Sequence, residues 1–150
     1  MKKQKRGQYL IIAALLILVG GFITYRAMLT VPSKELAPEA RVLAILEEGG
    51  CISCHSANPK VPFYAHIPVA GDMVMKDIED GYRAFDIEGA MAKLKEGGVL
   101  NPVDVAKIEK VALAGRMPMA KYYLVHWGSQ MTDAKRDIIV EWARKYREEY

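Results

Sequence analysis

The sequence predicts an all-α protein: a small helical domain behind one N-terminal membrane-spanning helix. Three observations carry this. Leu10 to Thr24 reads LIIAALLILVGGFIT, an uncharged run without proline. Beyond it, apolar residues recur at helical spacing in short stretches bounded by proline and glycine. No stretch shows the apolar/polar alternation of a half-buried strand.

Tyr9 and Tyr25 bracket the first run. Counting both gives 17 residues, roughly 25 Å of helix, the short end of a membrane span. The tyrosines suit the two interfaces, and Arg26 can snorkel to the far one. Lys2, Lys3, Lys5 and Arg6 precede the run. The positive-inside rule then places the N-terminus in the cytoplasm and residues 27–150 outside. A cleaved signal peptide shares this layout. The stretch YRAMLTVPS after Thr24 lacks an A-x-A site, which favours an uncleaved single-pass anchor. Residues 1–29 are therefore read as basic tip and anchor, 30–37 as a linker and 38–150 as the exported domain.

Within that domain, Pro38 opens a helix with stripe Val42, Ile45 and Leu46, ended by Gly49-Gly50. Ala57 to Gly71, with three prolines, reads as a loop. Asp72 to Tyr82 is expected to form a helix, with Val74, Ile78 and Tyr82 spaced four apart. Asp86 caps a helix burying Ala90, Met91 and Leu94, stopped by Gly97-Gly98. Asn101-Pro102 starts the next as N-cap and first residue, with Val105, Ile108, Val111 and Ala112 inward and Gly115 at its end. Thr132 caps the last helix, whose stripe is Ile138, Ile139, Trp142 and Tyr146; Trp142 is expected to pack near Ile45.

The chain has 150 residues and a net charge of +3. Five of its 21 basic residues lie in residues 1–26, where no acid occurs, so the remainder holds 16 basic and 18 acidic groups. That leaves no basic surface suited to nucleic acid. The two cysteines, Cys51 and Cys54, exclude a disulfide scaffold and a four-cysteine zinc site.

Both cysteines lie in Cys51-Ile52-Ser53-Cys54-His55, a C-x-x-C-H motif. Two thiols at this spacing can each add to a vinyl group of one haem, and the adjacent His55 can reach the iron from the proximal side. One covalent haem c is therefore predicted. A redox dithiol needs no such histidine, and a zinc site would need further ligands at a matching spacing. A sixth ligand could come from Met73, Met75, Met91, Met117, Met119, Met131, His66 or His126. Met117 is preferred: it lies 62 residues after His55, follows the helix stop at Gly115 and precedes Pro118. His126 is the fallback. Methionine ligation favours Fe(II) and closes the iron to substrate, which points to electron transfer. Arg116 and Trp127 are candidates for contact with the haem propionates, Trp127 and the tyrosines 64, 82, 122 and 123 for its edge.

The segments GCISCHSANPKVPFYAHIP, DIEDGYRAF, NPVDVAKIEKV, RMPMAKYYLVHW and EWARKYREEY, in this order, resemble the N-terminal haem domain of membrane-bound bacterial tri-haem cytochrome c peroxidases, the quinol peroxidases. The Y-x-x-x-H-W piece after Met-Pro is the most specific. The resemblance implies His55 as proximal and Met117 as distal ligand. It also implies electron relay from the quinol pool to a two-haem peroxidase module. This sequence has no second C-x-x-C-H and ends in REEY. We therefore expect a stand-alone mono-haem cytochrome taking electrons from quinol or a quinol-oxidising complex and passing them to a periplasmic redox protein or peroxidase. The alternatives are the electron-entry domain of a longer peroxidase and a haem sensor.

Overall fold

The computed structural model describes residues 2–150, with side chains from Gly7 onward except Met28. The basic side chains of Lys2, Lys3, Lys5 and Arg6 lie outside the described residues. The chain divides into two compact units, one ending at Thr30 and the other running from Val31 to Tyr150.

The first unit is a single helix, α1 (Lys2–Met28). Its stretch Gly7–Ala27 is long and apolar enough to cross a membrane, and none of it is buried against protein. Apolar side chains cover its whole circumference, a pattern that lipid on every side would accept; a helix that packs on one protein face would carry a polar side. The helix extends beyond the predicted run at both ends.

The second unit is all helical among the described residues. Its helices are α2 (Pro38–Glu48), α3 (Ala70–Ala84), α4 (Glu88–Glu96), α5 (Pro102–Ala114), α6 (Ala120–Tyr123) and α7 (Asp133–Glu149). Single 3-10 turns occur at Cys51–Ser53, Phe63–His66 and Trp127–Ser129. The boundaries follow local chemistry. Asn101 accepts the Val103 N–H with Pro102 behind it, and Gly115 ends α5 in the left-handed conformation. Thr132 accepts the Lys135 N–H at the start of α7. Asp86 Oδ1 accepts the Glu88 N–H at the start of α4.

The core forms where α7 packs on both α2 and α5, with α4 against α2. Val42, Ile45, Val105, Ile139 and Ala143 are almost fully buried there. Trp142 joins α7 to α2 by donating from Nε1 to Glu39 Oε1 at 3.4 Å. Tyr146 Oη accepts the Leu100 N–H at 2.7 Å, tying the α4–α5 connection to the C-terminal helix.

Two expectations need correcting. Part of the 57–71 stretch is ordered as the turn at Phe63–His66, and α3 begins at Ala70, two residues early. Tyr82 is exposed; the buried positions of α3 are Gly71, Ile78 and Gly81. A spacing of four advances by about 400°, so a 74-78-82 stripe drifts off the buried line by about 40° per step. The helix closes on the domain through a glycine instead.

Candidate functional site

Helix α2 ends at Glu48 with Gly49 as its cap, and Gly50 turns the chain with φ of 67°. A side chain at Gly50 would strike the Tyr122 hydroxyl, so this position needs glycine for both conformation and space. The next residues wind into one tight turn. The Cys54 N–H and His55 N–H both donate to the Cys51 carbonyl, at 3.3 and 3.0 Å. One helical turn brings positions i, i+3 and i+4 to the same side. Cys51, Cys54 and His55 accordingly line one cavity, of about 230 Å³, while Ile52 packs toward the core.

The connection between α3 and α4 clamps this turn. His55 Nδ1 lies 2.9 Å from the Phe85 carbonyl oxygen. A carbonyl only accepts, so Nδ1 carries the proton and Nε2 keeps the lone pair that a metal requires. The Ile87 N–H donates back to the His55 carbonyl at 2.8 Å. Ser56, 2% exposed, donates to Glu88 Oε2 at 2.8 Å and accepts the Asn58 N–H at 3.0 Å. Gly81 of α3 lies so close that a Cβ there would stand 2.7 Å from the Cys54 carbonyl oxygen.

The remaining walls are largely apolar: Leu46 of α2, Ala84 of α3, Ile108 and Ala112 of α5, and Ile139 of α7. Met117, Met119 and Met131 all face this cavity, so the sulfur Met117 was singled out to supply has two neighbours. The Met117–Pro118 peptide is cis. Met73 and Met75 are exposed, Met91 sits in the core and His66 is exposed; none of them lines the cavity.

His126 also lies outside that lining. It stands on a second cavity of about 320 Å³, which shares Cys54, Asp77, Met119 and Tyr122 with the first. Its Nε2 is 2.8 Å from Tyr64 Oη, and its ring stacks on Tyr122 with centroids 4.0 Å apart. Burial pushes the His126 pKa down and those of Tyr64 and Tyr122 up, in each case favouring the neutral form. Trp127 is 64% exposed and donates to the Leu124 carbonyl, and Arg116 is exposed.

The donor set fits a haem. Two thiols and a histidine whose Nδ1 is engaged by a carbonyl sit on one turn that lines a largely apolar cavity, and Met117, Met119 and Met131 also belong to its lining. The thiols fit dithiol exchange poorly. Burial raises the Cys51 pKa to about 11 and raises that of Cys54, which keeps both protonated at neutral pH.

The haem-binding domain family matches residues 22–145. The chain belongs to this family. It is similar to cytochrome c peroxidase Ccp of Escherichia coli (strain K12), with 33% identity over 120 residues, which is 80% of this chain and 26% of that protein. The chain thus spans about a quarter of that relative's length. No solved structure matches it. The expected relation to the haem domains of bacterial peroxidases is borne out. Sequence reasoning missed the Phe85 carbonyl, Ser56–Glu88 and Gly81. The first is a backbone atom with no sequence signature; Gly81 lies within the DIEDGYRAF segment, Glu88 three residues beyond it, and Ser56 directly after the motif.

Proposed function

We propose that this haem-binding domain is a membrane-anchored mono-haem c-type cytochrome. It would pass single electrons from a quinol-linked membrane donor, either quinol or a quinol-oxidising complex, to a periplasmic redox protein or peroxidase. The observation that carries this reading is the turn Cys51–His55: both thiols and the oriented imidazole line one apolar cavity.

Cys51 and Cys54 would hold the haem through thioether bonds, and His55 and Met117 would bind its iron. When bound, the group supplies a reversible one-electron change at iron. The protein's own residues set the conditions for it. The Phe85 carbonyl fixes the His55 ring and its tautomer. Leu46, Ile108, Ala112 and Ile139 would surround the group with largely apolar side chains, and burial of this kind is one of the protein's levers on a haem's potential. Methionine as second ligand raises the potential relative to two histidines. The helix α1 would confine the domain to the periplasmic face and raise its effective concentration near membrane donors.

A second reading makes the same domain the electron-entry part of a multi-haem peroxidase that reduces hydrogen peroxide. The match to a quarter of a cytochrome c peroxidase supports it. The two readings share one site and differ in the acceptor.

The test is the optical spectrum of the protein matured with haem, for wild type, Met117→Ala and Met119→Ala. The expected result is a weak near-infrared sulfur-to-iron band in the ferric protein, lost in Met117→Ala and kept in Met119→Ala. Loss in Met119→Ala alone would transfer the role to Met119. A wild-type spectrum without the band would refute methionine ligation.

A further inference from the structure

Two segments far apart in sequence meet at the second cavity and leave apolar side chains in solvent. Phe63, Val69, Leu124 and Trp127 are 82%, 76%, 76% and 64% exposed, and Val61, Ile67 and Val125 join them. The Tyr64–His126 hydrogen bond at 2.8 Å bolts the segments together. Exposed apolar side chains grouped in this way mark an interaction surface. Val69 strengthens the point: it is a β-branched residue held at φ 70°, a strained conformation, with its side chain in water.

We propose that this face docks on the surface of an anionic lipid bilayer; the proposal rests on the reading of α1 as a membrane anchor. Three features favour lipid over protein. First, residues 57–71 and 117–132 contain no acid, although the chain has 18, and each carries one lysine, Lys60 and Lys121. Lys121 is paired with Asp77, which lines the second cavity with it, and Asp72 and Asp133 directly follow the two segments, so the face is apolar and close to neutral, with Lys60 beside the cavity. That composition suits acyl chains, and Lys60 suits anionic headgroups above them. Second, Trp127 donates its indole N–H to the chain and exposes the ring, while Phe63 adds a second exposed ring; aromatic rings of this kind settle at lipid interfaces. Third, only nine residues, 29–37, separate α1 from α2. They reach about 30 Å at full extension. A domain of this length has a radius of gyration of about 14 Å. The tether therefore keeps the domain within about its own diameter of the bilayer, where a modest apolar face suffices for docking. Docked in this way, the second cavity and the wall it shares with the first, Tyr122 and Met119, would lie beside the lipid, on the side from which a membrane donor arrives.

The test uses the full chain with its haem, one chain per nanodisc, in phosphatidylcholine and phosphatidylglycerol carrying a photoactivatable diazirine in the acyl chain. Adducts are mapped by mass spectrometry. The expected result is labelling of α1 and of the peptides covering 61–69 and 124–128. The double variant Phe63→Ser, Leu124→Ser should lower labelling of those two peptides about tenfold while α1 labelling, the internal reference, is unchanged. Labelling confined to α1 would overturn the docking face and leave the anchor standing. A chain that does not enter the discs would overturn the anchor and the proposal with it. Labelling of the two peptides that is unaffected by the double variant would show contact without docking through these side chains, and overturns the proposal as well. So would protection of the face only in discs loaded with two chains, which would assign it to a second copy.

Discussion

Gly81 is where helix α3 touches the motif turn, and Gly81→Ala tests that contact directly. Gly81 is buried near the end of α3 with helical geometry. In an ordinary helix the change to alanine is favourable by about 0.5–1 kcal/mol, because glycine loses the most backbone entropy on folding. Here the added Cβ would stand 2.7 Å from the Cys54 carbonyl oxygen and 3.1 Å from its carbonyl carbon and Cβ. The obstacle is mostly backbone, and it cannot swing aside as a flexible side chain would. Overpacking of this kind costs about 1–3 kcal/mol. The net expectation is a loss of about 1–2 kcal/mol, or roughly 4–8 °C in Tm for a domain of this size. Gly89 is the matched control: it is helical, and a Cβ there meets nothing within 4 Å. Gly89→Ala should gain about 0.5 kcal/mol. Thermal unfolding of the full chain in detergent, followed by far-ultraviolet circular dichroism, separates the two. Because relief of the overlap must move α3 or Cys54, the amount of haem the protein binds should fall in Gly81→Ala and stay level in Gly89→Ala. A Gly81→Ala protein as stable as Gly89→Ala would refute the close approach, and with it the view that α3 helps to fix the motif turn.

Two further outcomes follow from single contacts. Tyr146→Phe removes the buried acceptor of the Leu100 N–H, and an orphaned buried donor costs about 1–3 kcal/mol; urea unfolding should show a lower midpoint with an unchanged slope. Desolvation lowers the His126 pKa below its ordinary 6.5. The unfolded chain then binds more protons than the folded one near that pH, so this histidine's contribution to stability is complete above pH about 6.5 and declines as pH falls below it. An NMR titration of the His126 ring should give a midpoint below 6.5; a midpoint above it would contradict the neutral Tyr64–His126–Tyr122 arrangement.

The parts of this fold that could be read in the sequence are those written by neighbouring residues. Asn101-Pro102 and Gly115 bound α5, and Thr132 starts α7, because capping is a contact between residues two or three apart. The C-x-x-C-H turn belongs with them: its logic fits within one helical turn. Periodicity worked where a helix buries a wide stripe, as on α2, and drifted on α3, where Gly81 rather than Tyr82 makes the contact. Helix α6, four residues long, is too short to carry a period at all. The site divides along the same line. Cys51, Cys54 and His55 could be named from spacing, but the choice among sulfurs could not be checked by spacing, since Met117, Met119 and Met131 reach one cavity from different points of the chain. The pairing of Tyr64 with His126 spans 62 residues and left no local trace. Most telling is the Phe85 carbonyl. Every C-x-x-C-H sequence supplies the same thiols and the same imidazole, and none states which nitrogen of that imidazole is free. Here that is decided by a backbone oxygen whose position depends on where α3 stops and α4 begins. The clamp from Phe85 to Glu88 is therefore what orients the generic motif in this protein, and changes in the length of the α3–α4 connection should disturb the His55 ring more than most substitutions in the cavity wall.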